Sequence, residues 1–309
     1  MVSSDNVVQV SLTTISPLFL NGSDPKGHPE LRAMSVRGQL RYWLRAIEGA
    51  RSDDLTRLKT RESNLFGSTT LGSSVSIRLY SAHDLEDSRH EMLPHRSNER
   101  ERGFTPAIDP DQTFTLQVVT RPGTAIPPRV IHAIQIWLLL GGLGKRSRRM
   151  FGALDSNMWE FTSSEHLASV LTDRLTKIVG QPQKISSVYA GMLPDFPTLN
   201  PAHCRVLVGH HSFDDARAAN VALFKDFLRS PRYIGYADSF GYAKGNKRRA
   251  SPLIAQVRRI GDKFFPVITV MRSTPGLPSG AAIDWTIYNR LLTDLQTAWK
   301  GEYVWGMAF

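Results

Sequence analysis

Apolar and polar residues alternate from Val8 through Val10 and Leu12 to Thr14, the period of a strand with one buried face. A turn-rich stretch, Asn21-Gly22-Ser23-Asp24-Pro25-Lys26-Gly27, separates it from a helical pattern. Ser35 is placed to cap that helix, and Val36, Leu40, Trp43, Leu44 and Ile47 form one apolar stripe along it. Ser74 to Tyr80 and Thr113 to Thr120 are short, β-branched and alternating, so each predicts a strand. A charged insertion, Ala82 to Asp111, lies between them. Pro127-Pro128 opens a second helix, Arg129 to about Leu140, because a missing N–H costs little in a first turn. A glycine-rich basic loop follows, and Phe151 to Trp159 is expected to hold a fourth strand. Strand, helix, strand, strand, helix, strand is the ferredoxin-like, split βαβ order.

The second half repeats this order without repeating the residues. Thr162-Ser163-Ser164-Glu165 reads as a capping box, with Leu167, Val170, Leu171, Leu175 and Ile178 on the inward face of its helix. Gly180 to His203 carries Pro182, Pro194, Pro197 and Pro201 and reads as an interdomain segment. Arg205 to Val208 predicts a strand, and Asp214 or Asp215 caps a helix through Phe224 and Leu228 that stops at Pro231. Leu253 to Ile260 and Phe264 to Met271 predict strands, Asp284 caps a helix to about Trp299, and Tyr303 to Phe309 closes the series. The expected fold class is therefore α+β, with two ferredoxin-like (RRM-like, βαββαβ) domains. The first covers residues 1–180, with the insertion at about 82–111 and an extra helix, and the second covers 181–309.

Length and composition agree with that division. The chain has 309 residues, a soft prior for two domains, and a 41% apolar content that can fill two cores. Its 38 Lys and Arg outnumber 28 Asp and Glu, giving a net charge of +10 and a pI near 9.9. Such a surface suits a polyanionic partner, or is simply a soluble basic surface. Cys204 is the single cysteine, so no internal disulfide and no cysteine-based zinc site can form, and a reducing, cytoplasmic compartment is expected. Met1 to Val10 carries Asp5 and no apolar core, unlike a secretory signal. The most apolar run, Ile134 to Leu143, is interrupted by Gln135 and Gly141-Gly142 and falls short of the ~20 residues of a membrane helix.

Three basic clusters carry the candidate chemistry. The first is the loop Gly141-Gly142-Leu143-Gly144-Lys145-Arg146-Ser147-Arg148-Arg149-Met150-Phe151-Gly152. Glycines such as Gly142 and Gly144 let the backbone approach a ligand, and Lys145, Arg146, Arg148 and Arg149 suit phosphates. Phe151 is expected to offer a face for base stacking. The loop is not a Walker A motif: Leu139 stands where that motif needs glycine, Arg146 follows the lysine, and the loop leaves a helix, not a strand. The second cluster is Arg37, Arg41 and Arg45, on one helical face, where like charges repel unless an external anion neutralises them. The third is Lys244, Lys247, Arg248 and Arg249, between Tyr242 and Pro252. Each cluster also reads as a solvated charge run. Taken together they suggest an electropositive track for single-stranded RNA.

Catalytic chemistry is sparse. His90-Glu91-Met92-Leu93-Pro94-His95 fails the zincin pattern, because its histidines leave one helical face and Pro94 breaks the helix. His83, His90 and His95 are expected to be exposed in the insertion. Asp24 and His28 could act as acid or base on RNA. No catalytic residue, metal or cofactor is assigned from the sequence.

Leu12-Thr13-Thr14-Ile15-Ser16-Pro17-Leu18-Phe19-Leu20-Asn21-Gly22, Pro29-Glu30-Leu31-Arg32-Ala33 and Ser35-Val36-Arg37-Gly38-Gln39-Leu40-Arg41-Tyr42-Trp43-Leu44-Arg45 resemble the N-terminal part of the RAMP superfamily of CRISPR-associated RNA binders. Gly141 to Gly152 looks like the glycine-rich loop, and Arg248-Arg249-Ala250-Ser251-Pro252-Leu253 like the C-terminal signature, of the first-subunit family of the type III-B Cmr module. Met150 stands where that pattern has glycine. The resemblance implies two ferredoxin-like domains and a non-catalytic, structural place at one end of a ribonucleoprotein used in antiviral defence. Its implied partners are the 3′ region of a guide RNA (crRNA), the target RNA and other RAMP subunits, with no membrane. Two rivals stay open: a metal-independent endoribonuclease that processes CRISPR transcripts with His28 or another loop histidine as base, and a protein–protein cap whose basic patches merely meet acidic subunits.

Overall fold

In the computed structural model, residues 2–22, 24, 27–189, 191–244, 247–274 and 283–309 are described, without the side chains of 2–4, 101, 242–244 and 247. The chain divides into two compact units, Met1–Arg45 with Asp54–Glu160, and Ala46–Asp53 with Phe161–Phe309. This division falls near residue 160, whereas the sequence predicts a boundary at 180. Both units are α+β and built on antiparallel sheets.

The first unit holds β1 (Val2–Ser4), β2 (Val7–Thr14), most of α1 (Ala33–Gly49), α2 (Leu55–Phe66), β3 (Ser76–Tyr80), β4 (Asp87–Glu91), α3 (Glu99–Arg102), β5 (Phe104–Ile108), β6 (Thr113–Val119), α4 (Pro128–Leu140) and β7 (Leu154–Ser156). The main sheet runs β7-β2-β6-β3, with β1 beside the other half of β2. Its register pairs Val8 with Val118, Val10 with Leu116 and Leu12 with Phe114, so the alternating apolar residues make one buried face. The opposite face carries Gln9, Ser11, Thr13, Thr113 and Gln117, with Gln9 donating to the Tyr80 hydroxyl. The stripe of α1 and most of α4 are buried, and they supply the rest of the core.

Local chemistry shifts some element ends. Helix α1 begins at Ala33, so Ser35 lies inside its first turn and does not cap it. Helix α2 has no counterpart among the predicted elements. Only Leu58 and Phe66 of it are buried, too few to show a stripe, and Asp54 caps it by accepting from the Arg57 N–H. The charged insertion forms the ribbon β4–β5 and the single turn α3.

The second unit holds α5 (Ser164–Val179), α6 (Pro182–Ile185), β8 (Cys204–Val208), α7 (Ala216–Ala222) continued by a π-helical turn (Leu223–Leu228), β9 (Tyr242–Lys244), β10 (Lys247–Arg249), β11 (Leu253–Ile260), β12 (Lys263–Met271), α8 (Thr286–Ala298) and β13 (Glu302–Trp305). Its sheet runs β13-β8-β12-β11. Every residue of β8 and most of β11 and β12 are buried, so both faces of this sheet are covered. Ser163, one residue later than the expected capping box, caps α5 by accepting from the His166 N–H. Asp215 caps α7, and Asp284 accepts from both the N–H and the hydroxyl of Thr286 at the start of α8. Those bonds hold the Asp284 carboxyl below the usual carboxylate range, the hydroxyl contributing most.

The proline-rich segment 180–203 is not a linker. Thr198, Leu199 and Asn200 are fully buried. The Asn200 amide donates to the carbonyls of Ala50 and Ile185 at 3.0 and 2.7 Å, and Tyr189 donates to the Gly49 carbonyl at 2.5 Å. Short-range proline signals cannot distinguish an exposed linker from a segment whose polar groups are satisfied by distant carbonyls.

His203 packs edge-on to Tyr189, with ring centroids 5.4 Å apart. Burial, and then the Arg272 cation, lower its affinity for a proton. The unfolded chain therefore binds this proton more readily, so stability falls as pH drops below the ordinary histidine value of about 6.5. Urea unfolding at neutral and mildly acidic pH should show that loss, and His203→Phe should reduce it. Equal acid sensitivity in the variant would exclude His203 as its source.

Candidate nucleic-acid interface

The glycine-rich loop is held by backbone bonds to the segment that follows β2. Lys145 N–H donates to the Phe19 carbonyl at 2.8 Å, Gly152 N–H to Pro17 at 3.0 Å, and Leu143 N–H to Gly152 at 2.8 Å. The Ser16 hydroxyl accepts from Ala153 N–H at 2.9 Å, and the Trp137 indole donates to the Gly142 carbonyl at 3.1 Å. Two glycines are required here. Gly144 has φ +82°, and a Cβ there would lie 2.5 Å from the Phe19 oxygen. Gly152 has φ +58°, and its Cβ would fall on the Leu143 carbonyl. Arg146 and Met150 also adopt left-handed backbone, φ 59° and 64°, which costs roughly 1–2 kcal/mol each in a non-glycine residue. Met150, which stands where the resemblance implies a glycine, adopts a glycine-like backbone, and its side chain is buried.

The loop brings its cations to the face of α1. The Arg148 guanidinium sits over the Tyr42 ring, 5.1 Å from its centroid. Arg149 donates from its backbone to the Arg146 carbonyl and from its side chain to the Arg148 carbonyl, both at 2.8 Å. On α1 itself, the expectation of an external counter-charge is corrected for two of three arginines. Glu62 of α2 lies 2.9 Å from Arg41 and 3.2 Å from Arg45, and Arg41 also donates to the Gly67 carbonyl. Arg37 makes no ion pair among the described residues. The Glu62 partnership was illegible in sequence because it joins two helices through tertiary packing.

Phe151 is not a stacking platform. It is buried, meets Phe19 edge-on at 5.2 Å, and forms a small core with Ala107 and Met92. The third basic cluster forms the ribbon β9–β10, in which Lys244 pairs with Lys247; both of those side chains, and residues 245–246, lie outside the described residues. Arg248 is exposed. Arg249 donates to the Asp238 carbonyl, and burial lowers its proton affinity.

Near the loop, a pocket of about 320 Å³ is lined by Phe19, Leu20, Asn21, Ser35, Gln39, Gly144 and Lys145. Asn21 pairs with Pro29 in a β-bridge, and its amide donates to the Gly27 carbonyl at 2.8 Å. The sequence does not single out Asn21 or Gln39 as functional; no local signal marks them, because the pocket closes only when three distant segments meet.

The histidines separate into two settings. His28 is exposed and 3.2 Å from the Asp87 carboxylate. On the β4–β5 ribbon, Ser88 and Asp109 both approach His90 Nε2, at 3.1 and 2.5 Å. Both contacts fall on one ring nitrogen, whereas a nucleophilic relay uses the two separately. His95 is buried, against expectation, and His83 is exposed. Among the described residues no group of three or more His, Cys, Asp or Glu is arranged to hold a metal ion, and no helix is long and apolar enough to cross a membrane.

The chain that carries this loop is matched by known proteins. Residues 11–155 of the chain match the model of the RAMP superfamily. More particularly, the chain is similar to Cmr1 proteins. It is 26% identical over 90% of its length to the CRISPR system Cmr subunit Cmr1-1 of Pyrococcus furiosus, of which it covers 92%. It is also 40% identical to Cmr1-2 of the same organism, over 22% of this chain and 36% of that protein. The crystal structure of Cmr1 from Pyrococcus furiosus in its apo form superposes with a TM-score of 0.68 at 22% identity, covering 97% of this chain and 99% of that one. A chain in the cryo-EM structure of the type III-B Cmr-beta bound to cognate target RNA superposes at 0.65 with 12% identity, covering 94% and 99%.

Gly152→Ala should destabilise the first unit by more than about 1 kcal/mol, since an L side chain meets both a positive φ and a carbonyl. Gly72→Ala, where nothing lies within 4 Å of the added Cβ, serves as the control. Thermal unfolding that leaves both variants alike would refute the close approach.

Proposed function

We propose that this chain is a non-catalytic, RNA-binding structural subunit of a type III-B CRISPR effector of the Cmr type, working in the cytoplasm. It holds the 3′ region of the guide RNA and the paired end of the target RNA, and it packs against other RAMP subunits. The single observation carrying this reading is the glycine-rich loop. Its backbone is pinned to residues 17–19, while Lys145, Arg146, Arg148 and Arg149 rise from it next to α1. Pinned cations lose little freedom on meeting a phosphate chain, and phosphate contacts position RNA without reading its sequence. Arg37, Arg41 and Arg45 extend this surface, with Arg41 and Arg45 partly neutralised by Glu62. Gly142 and Gly144 hold the loop's shape, and Lys244, Lys247, Arg248 and Arg249 are the further RNA contacts assigned to the other unit.

Two ferredoxin-like domains underlie this reading. The orders β7-β2-β6-β3 and β13-β8-β12-β11, taken with the chain order of the strands and helices, support the split βαβ topology in each unit.

The rival endoribonuclease draws on one observation, the exposed His28 with Asp87 at 3.2 Å. Repeat RNA incubated with the protein in chelator should remain intact. RNA that is cut, with cutting abolished in His28→Ala, would favour the enzyme.

Replacing Lys145, Arg146, Arg148 and Arg149 with Gln should weaken binding of single-stranded RNA. The slope of log K against log salt should become shallower by ~0.7 for each phosphate that the loop no longer neutralises. Filter binding across a salt series reads both quantities, and an unchanged slope would remove the loop from the interface.

A further inference from the structure

The pocket beside the loop has features that phosphate binding leaves unused. Asn21 is only 8% exposed, yet its side-chain oxygen Oδ1 has no hydrogen-bond partner. Its nitrogen is already committed to the Gly27 carbonyl, so the amide cannot turn to satisfy the oxygen within the protein. A buried acceptor left in this state is unfavourable, and a ligand donor would relieve it. The same side chain lines the pocket of about 320 Å³, a volume near the lower end of the ~300–1,000 Å³ typical of small-ligand sites.

The remaining walls complete a recognisable chemistry. Phe19 and Leu20 are apolar and fully enclosed behind the lining. Gln39, one helical turn from Ser35 on α1, offers both a donor and an acceptor. Lys145 brings a cation to the same pocket. Ser35 lies in the first turn of α1, which contains no acidic residue, so the helix dipole there favours an anion. Apolar walls, an unpaired buried acceptor, a two-way amide and a cation at the rim match a base with its attached phosphate.

We infer that this pocket receives one unstacked nucleobase of RNA lying over the glycine-rich loop. Asn21 Oδ1 accepts an N–H from the base edge, Gln39 bonds a second edge position, and Lys145 with the α1 terminus holds the adjoining phosphate. Every RNA base carries such an N–H, so the pocket tolerates all four. Bases splayed from a single strand into side-chain pockets are a common mode of RNA recognition. This inference rests on the RNA-binding reading above and adds to it a contact that carries no net charge.

Two single-stranded probes of equal length and charge test it, one with bases and one in which every base is replaced by hydrogen. Base–protein contacts of this kind are worth on the order of tenfold or more in affinity, so the intact protein should prefer the base-bearing probe by about that factor. Gln39→Trp fills the pocket and should narrow the preference to about twofold, with affinity for the base-free probe and the salt slope unchanged. Ser35→Leu, filling the same space from the next turn, gives an independent reading if Gln39→Trp does not fold by circular dichroism. Equal affinity of the intact protein for both probes, or an undiminished preference in the folded variants, would overturn the pocket while leaving phosphate binding intact. Failure of the intact protein to bind either probe would instead overturn the RNA-binding reading itself.

Discussion

The contact on which this structure turns is the close passage of the loop 141–152 over the chain at residues 17–19. Two backbone bonds, Lys145 N–H to Phe19 and Gly152 N–H to Pro17, bring the two segments together. A Cβ at Gly144 would collide with the Phe19 carbonyl, and one at Gly152 with the Leu143 carbonyl within the loop itself, so the approach and the turn that makes it both depend on glycine. Around it the sheet strand β7 reaches β2, Met150 and Phe151 turn inward, and Lys145, Arg146, Arg148 and Arg149 stay half-buried. Without this clasp the loop would be a flexible charged turn, and its four cations would each lose conformational freedom on meeting a ligand.

The clasp also organises electrostatics that would otherwise oppose folding. Arg37, Arg41 and Arg45 stand four residues apart, a spacing at which like charges repel by a few tenths of a kcal/mol per pair. Glu62, itself largely enclosed, bridges the second and third, and Arg148 rests on the Tyr42 ring between them. Such partly exposed pairs add little to stability individually. Their larger effect is to hold the Arg41 and Arg45 guanidinium groups against one carboxylate. Beside them lies the pocket with Asn21, where a buried acceptor is left open. The basic loop and this pocket thus occur within one unit.

The two units bury their sheets differently. In the first, one face is apolar and the other carries Gln9, Ser11, Thr13 and Gln117. In the second, even Gln256, Arg258 and Thr269 are buried. A sheet with a wet face leaves a clean alternation in its strands, which is why Val8 to Thr14 was legible. A sheet covered on both sides leaves near-continuous burial, and its polar members give no outward sign that they are enclosed.

What the sequence determined by itself was the elements whose signal is local. The alternation of β2, the apolar stripe of α1, the prolines opening α4 and the glycines of the loop all act over a few residues, so they could be read directly. The resemblance to RAMP proteins lay in those same blocks. Tertiary structure alone decided the rest. It turned Phe151 from an exposed ring into core, gave Arg41 and Arg45 the carboxylate of Glu62, took α5 into the second unit, and made the proline-rich segment a buried one. Each of these depends on residues that are distant in the chain and meet only after folding, as Asn21, Gln39 and Lys145 do around the pocket. Periodicity and spacing report which face of an element is buried; they carry no information about which other element comes to cover it.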